Sequence, residues 1–97
     1  MNGRRVANFA ALDKPGDFYW REHNNLDPTI TSISFLCPSC GAWHGVGVKP
    51  GNPDGWDWNG DLDKPTLSPS MLFSGGHLDN PDCRWHGYLR DGQWVTA

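Results

Sequence analysis

The chain is short of cations. It has eight lysines and arginines against eleven aspartates and glutamates, a net charge of −3 over 97 residues. Duplex nucleic acid is held by a dense Lys/Arg surface, so this balance argues against a nucleic-acid partner. Long apolar runs are also missing: nothing approaches the roughly 20 residues of a membrane span. The opening Met1-Asn2-Gly3-Arg4-Arg5 leads into no apolar signal core either. A soluble, intracellular protein with no membrane partner is the expectation. Cysteine is scarce, and three thiols cannot build a disulfide framework. Aliphatic bulk is thin as well, with 37% hydrophobic residues. Familiar catalytic signatures are absent: there is no H-E-x-x-H helix, and no H-x-E partner for the P-C-x-x-C of zinc deaminases.

What remains is turn chemistry, tryptophan and a metal-binding spacing. Twelve glycines and eight prolines favour short strands joined by many turns. Six tryptophans are enough to form a compact core where aliphatic residues are few. The fold class expected is mostly β: a small single domain of hairpins, zinc-ribbon-like, around a Trp-rich core. Residues 1–28 form an N-terminal segment readable as an arm, and residues 29–97 a zinc-stapled β domain.

Within that frame, Phe18-Tyr19-Trp20-Arg21 reads as a strand, and Thr29 to Leu36 is a β-branched strand that delivers Cys37 directly. Ala42 to Val48 is its return. Trp56-Asp57-Trp58 alternates aromatic and polar residues and puts both indoles on one face when extended. Pro65 and Pro69 keep residues 61–70 in an ordered loop or sheet edge. Met71, Leu72 and Phe73 read as core. A final hairpin runs from Trp85 to Thr96 around Asp91-Gly92.

The strongest chemical signal is Cys37-Pro38-Ser39-Cys40-Gly41, whose tight turn aims two thiolates at one ion. A tetrahedral site needs two more ligands, and Cys83 with His86 supplies a second pair after 42 intervening residues. The expected centre is a structural zinc on Cys37, Cys40, Cys83 and His86. His77 is an alternative fourth ligand, and His44 and His23 are further candidates. Four protein ligands would leave no open position for a catalytic water. The hydroxyls of Thr66, Ser68 and Ser70 resemble a nucleophile and its neighbours, but no base can be paired with them from sequence, and capping or turn bonding is the usual role. Asp54, Asp57, Asp61 and Asp63 form the most polarised surface, a candidate partner-binding face for a basic factor. They fail the calcium-loop pattern, with Leu62 where glycine is needed and Ser68 where glutamate closes the loop.

Trp56-Asp57-Trp58-Asn59-Gly60, Lys64-Pro65-Thr66-Leu67-Ser68-Pro69-Ser70 and the Cys/His pair before Asp91-Gly92 resemble a family of small phage and prophage proteins, over about Phe35 to Trp94. Some of these carry the label ammonia monooxygenase, which looks like a propagated error. The chain departs from that pattern in its Cys83-x-x-His86 spacing, and longer relatives carry a further Cys/His segment. The resemblance implies a phage or prophage origin, a metal-binding domain, the cytoplasm of a bacterial host cell, and no established activity. The function expected is therefore a non-enzymatic accessory protein that binds a host or phage protein as inhibitor or adaptor. A metal-dependent hydrolase with an open zinc site and a zinc-ribbon nucleic-acid binder are the alternatives.

Overall fold

The computed structural model describes residues 1–73 and 83–97. Among them nine short strands form three small sheets. The first sheet has the order β1 (Arg4–Arg5), β2 (Asp17–Glu22), β3 (Ile30–Leu36), β4 (Trp43–Gly47), with β1 parallel to β2 and the other pairs antiparallel. A two-stranded ribbon joins β5 (Asp57–Trp58) to β6 (Leu67–Ser68). The third sheet runs β7 (Met71–Leu72), β8 (His86–Arg90), β9 (Gln93–Thr96), antiparallel throughout.

The β-branched stretch becomes the central strand of the first sheet because neighbours cover it on both edges. Ile33, Ser34 and Phe35 are all buried. Residues from the N-terminal segment supply β1 and β2, and Phe18 is fully buried. The apolar run after Arg5 forms a single 3-10 turn, Phe9–Ala11, capped by the Asn8 side chain. Asp17 ties this region down: its carboxylate accepts from the Arg4 guanidinium and from the backbone N–H groups of Asp13 and Lys14.

The last hairpin forms as the sequence predicts. Asp91 and Gly92 both have positive φ (50° and 74°), which suits the right-handed twist of a two-residue turn. The core joins the first and third sheets through aromatic rings. Phe35 lies 4.5 Å from Trp94 and 5.8 Å from Phe73, centroid to centroid. Five of the six indole N–H groups find acceptors, among them Trp94 on Gly16 O and Trp85 on Thr96 Oγ1. The β architecture and Trp-rich core match the sequence reading.

One core assignment is corrected. Met71 and Phe73 are buried, but Leu72 between them is 57% exposed. Successive strand side chains point to opposite faces, and Leu72 falls on the outer face of the third sheet.

Candidate functional site

Two constellations stand out among the described residues. The first is the thiol group. Cys37 leaves the end of β3, and the following turn is closed by Gly41 N–H donating to Cys37 O (2.8 Å) and by Cys37 N–H donating to Ala42 O (2.8 Å). Gly41 supplies the positive φ (78°) that the reversal requires. Cys83 enters from the chain just before β8. The three Sγ atoms of Cys37, Cys40 and Cys83 lie within 4.8 Å of one another. No disulfide joins them, and Cys37 Sγ stands 3.8 Å from Cys83 Sγ.

That spacing fits a metal. Ligand bonds of about 2.3 Å at tetrahedral angles set two thiolate sulfurs about 3.8 Å apart, whereas a disulfide needs about 2.05 Å. Burial pushes the Cys37 thiol up to about 11, so without an ion it is protonated at neutral pH. An ion bound by these thiols would therefore displace protons.

The second constellation is a hydroxyl and an imidazole. His86 opens β8 and pairs with Leu72 of β7. Extending that register by one step sets Ser70 across from Tyr88, on the same outer face as His86 and diagonal to it. His86 Nε2 is 3.0 Å from Ser70 Oγ. Ser70 is half-buried and His86 is exposed. Their backbones are anchored nearby: Trp56 Nε1 donates to Pro69 O (3.0 Å), and Ala97 N–H donates to His86 O (2.9 Å). The arrangement sets an alcohol against a base, open to solvent on one side.

The structure thus brings together three of the four residues expected to hold metal, while the fourth, His86, lies outside that group and faces Ser70. His44 stacks on Phe73 at 4.2 Å between centroids. His23 sits in the turn closed by its N–H on Thr29 O. Neither joins the thiols. His77 lies outside the described residues. The four aspartates are spread over separate interactions: Asp57 pairs with Lys49 (3.3 Å), Asp63 pairs with Arg5 (3.1 Å), and Asp61 Oδ1 accepts from the backbones of Asp63 and Lys64. Asp54 is exposed on the turn after Asn52.

Fold and site together define a small all-β protein that carries a serine–histidine pair and a group of three close thiols. The chain belongs to the family described as "Bacterial ubiquitination-like system serine protease (BubE)", whose family model matches residues 5–97. Searches of curated proteins and of solved structures give no match.

Membership of that family overturns the expectation of a non-enzymatic phage accessory protein acting as inhibitor or adaptor: the family described is one of proteases. The family label concerns a bacterial ubiquitination-like system and carries no phage origin. Ser70 stands among the hydroxyls that resemble a nucleophile in the sequence, but no base pairs with it there because His86 is 16 residues away, on β8. Met71-Leu72-Phe73 is apolar throughout and carries no alternation, so the sequence holds no local signal for the face on which Ser70 lies; that face follows from the pairing of β7 with β8, which brings Ser70 and His86 together.

Proposed function

We propose that this protein is a serine-type protease acting on a protein of a bacterial ubiquitination-like system, with Ser70 as nucleophile and His86 as general base. The observation that carries the reading is the 3.0 Å contact between Ser70 Oγ and His86 Nε2, within hydrogen-bond reach for proton transfer. The family description supports it.

In the tautomer that serves catalysis, Nδ1 carries the ring proton and Nε2 accepts the Ser70 hydroxyl proton. Oγ attacks the scissile carbonyl carbon while Nε2 takes that proton. The imidazolium then gives it to the leaving nitrogen as the C–N bond breaks, and an ester remains on Ser70. Water, deprotonated by the same Nε2, hydrolyses the ester and returns the hydroxyl. The open side of the pair, on the outer face of the third sheet beside exposed Leu72, admits a protein chain.

The metal of this reading is one zinc ion on Cys37, Cys40 and Cys83, which leaves one tetrahedral position to a donor outside the three thiols. A mixed set dominated by thiolate suits zinc. Its contribution is structural: it joins the β3–β4 turn to the chain entering β8.

The test is hydrolysis of p-nitrophenyl acetate followed from the first turnover. An acyl-enzyme on Ser70 gives a nitrophenolate burst stoichiometric with protein, absent in Ser70→Ala and slowed in His86→Gln. A burst that survives Ser70→Ala overturns the assignment.

A further inference from the structure

The metal centre and the Ser70–His86 pair are linked by chain. From Cys83 to His86 there are only two intervening residues, Arg84 and Trp85, and neither belongs to a strand. The pairing that sets His86 against Ser70 is short, since β7 and β8 share just two residue pairs, Met71 with Gly87 and Leu72 with His86. One further bond, Phe73 N–H to Trp85 O (3.1 Å), extends it toward Cys83. On its other edge β8 is firmly held, by four residue pairs with β9 and by Ala97 N–H on His86 O, so the β8–β9 hairpin moves as a unit and these few bonds, with whatever holds Cys83, set it against β7 and Ser70. Cys37 and Cys40 belong to the β3–β4 turn of a different sheet. An ion shared by the three sulfurs would clamp the entry of β8 to that turn.

We infer that the metal held by Cys37, Cys40 and Cys83 positions the general base of a serine protease: the ion fixes the start of β8, and through it the distance from His86 Nε2 to Ser70 Oγ. Resting on the serine-protease reading above, this makes the three cysteines positioning residues and the enzyme sensitive to chelators although its nucleophile is a serine. Chelation and serine-directed reagents then silence the same reaction by separate routes. A misplacement of about 1 Å between reacting groups costs on the order of a hundredfold in rate, so a modest shift of β8 suffices.

The experiment reads Ser70 directly and needs no substrate. Diisopropyl fluorophosphate reacts when Oγ attacks phosphorus, fluoride leaves and the hydroxyl proton passes to His86 Nε2; the site is mapped by peptide mass spectrometry. Its rate is measured on protein as purified, on chelator-stripped protein and on stripped protein titrated with zinc, with near-ultraviolet circular dichroism recorded on each sample. Cobalt substitution adds a thiolate charge-transfer band as a readout of the centre itself. The expected result is labelling of Ser70 that falls about ten- to a hundredfold on stripping, returns in proportion to zinc added, and falls while the aromatic dichroism persists.

Two variants separate positioning from folding. Cys40 is exposed and on the remote turn; Cys40→Ala should lose both metal and labelling, whereas Cys40→His, which keeps a ligand, should hold both. Labelling at the same rate with and without metal overturns the inference and leaves the protease reading standing. Labelling and dichroism lost together also overturns it, because the metal then stabilises the whole fold and does not position one strand. No labelling of Ser70 in the metal-replete protein removes the protease reading itself.

Discussion

Ser70 Oγ lies 3.0 Å from His86 Nε2, although the two residues are 16 positions apart, Ser70 just before β7 and His86 at the start of β8, and the two strands share only two residue pairs. If the pair is a nucleophile and its base, the two side chains act as a unit, and their removal is not additive. Ser70→Ala should abolish the acyl burst. His86→Gln should lower its rate by about 10²–10⁴, and the double variant should be no worse than Ser70→Ala. Burst kinetics with p-nitrophenyl acetate on the three proteins checks this.

Metal affinity should fall steeply in acid. Burial holds the Cys37 thiol at about 11 in the metal-free protein, so the ion must displace protons from thiols that prefer to keep them. Isothermal titration of zinc in buffers of different ionisation enthalpy, at several pH values, should show protons released on binding and a dissociation constant that rises as pH falls. A pH-independent affinity would mean that the cysteines are not the ligands.

Asp17 should set part of the acid stability. The Arg4 guanidinium, with the backbone N–H groups of Lys14 and Asp13, holds its carboxylate at about 2, below the ordinary 3.8. A lowered folded-state value means the contribution is complete above about 3.8 and is lost as the pH falls through about 2. Asp17→Asn should cost about 1–3 kcal/mol at neutral pH, with Arg4 more than half exposed and solvent moderating the loss. Urea melts at pH 7 and pH 2 should show the gap between wild type and variant closing at the lower pH.

Adjacent residues of β7 should respond in opposite ways. Met71 is fully buried, so Met71→Ala should cost about 2–5 kcal/mol. Leu72 is 57% exposed, and Leu72→Thr should stay within about 0.5 kcal/mol. Gly87, next to His86, is closed to any side chain: a Cβ there would press on the Trp85 ring and on the Val95 carbonyl oxygen. Gly87→Ala should cost about 1–3 kcal/mol and slow the burst by shifting β8. Chemical denaturation of the three variants tests the register that builds the site.

Much of the fold is written in local patterns. The β-branched run 29–36, the Cys37–Gly41 turn and the Asp91-Gly92 hairpin all declare themselves within a few residues, because turn chemistry and alternation act at short range. The cysteine grouping was legible for a related reason: C-x-x-C restricts two ligands to one turn, and Cys83 is the one thiol left to join it. The placement of His86 was harder to read. In the chain His86 looks like a metal ligand because it stands three residues after Cys83, yet side chains on a strand alternate faces. His86 therefore shares the outer face of the third sheet with Ser70 and Leu72, while Gly87 turns inward. The identity of that face depends on which strands pair, a long-range fact that spacing along the chain does not encode. The ion pairs of Asp57 with Lys49 and of Asp63 with Arg5 are likewise invisible to spacing along the chain, since they join separate segments.

Diisopropyl fluorophosphate, reacted with the metal-replete protein and mapped by peptide mass spectrometry, probes the nucleophile itself. A single phosphoryl adduct is expected on the peptide that contains Ser70, absent in Ser70→Ala and formed more slowly in His86→Gln. An unmodified Ser70, or an adduct on another residue that persists in Ser70→Ala, would contradict the assignment of Ser70 as nucleophile.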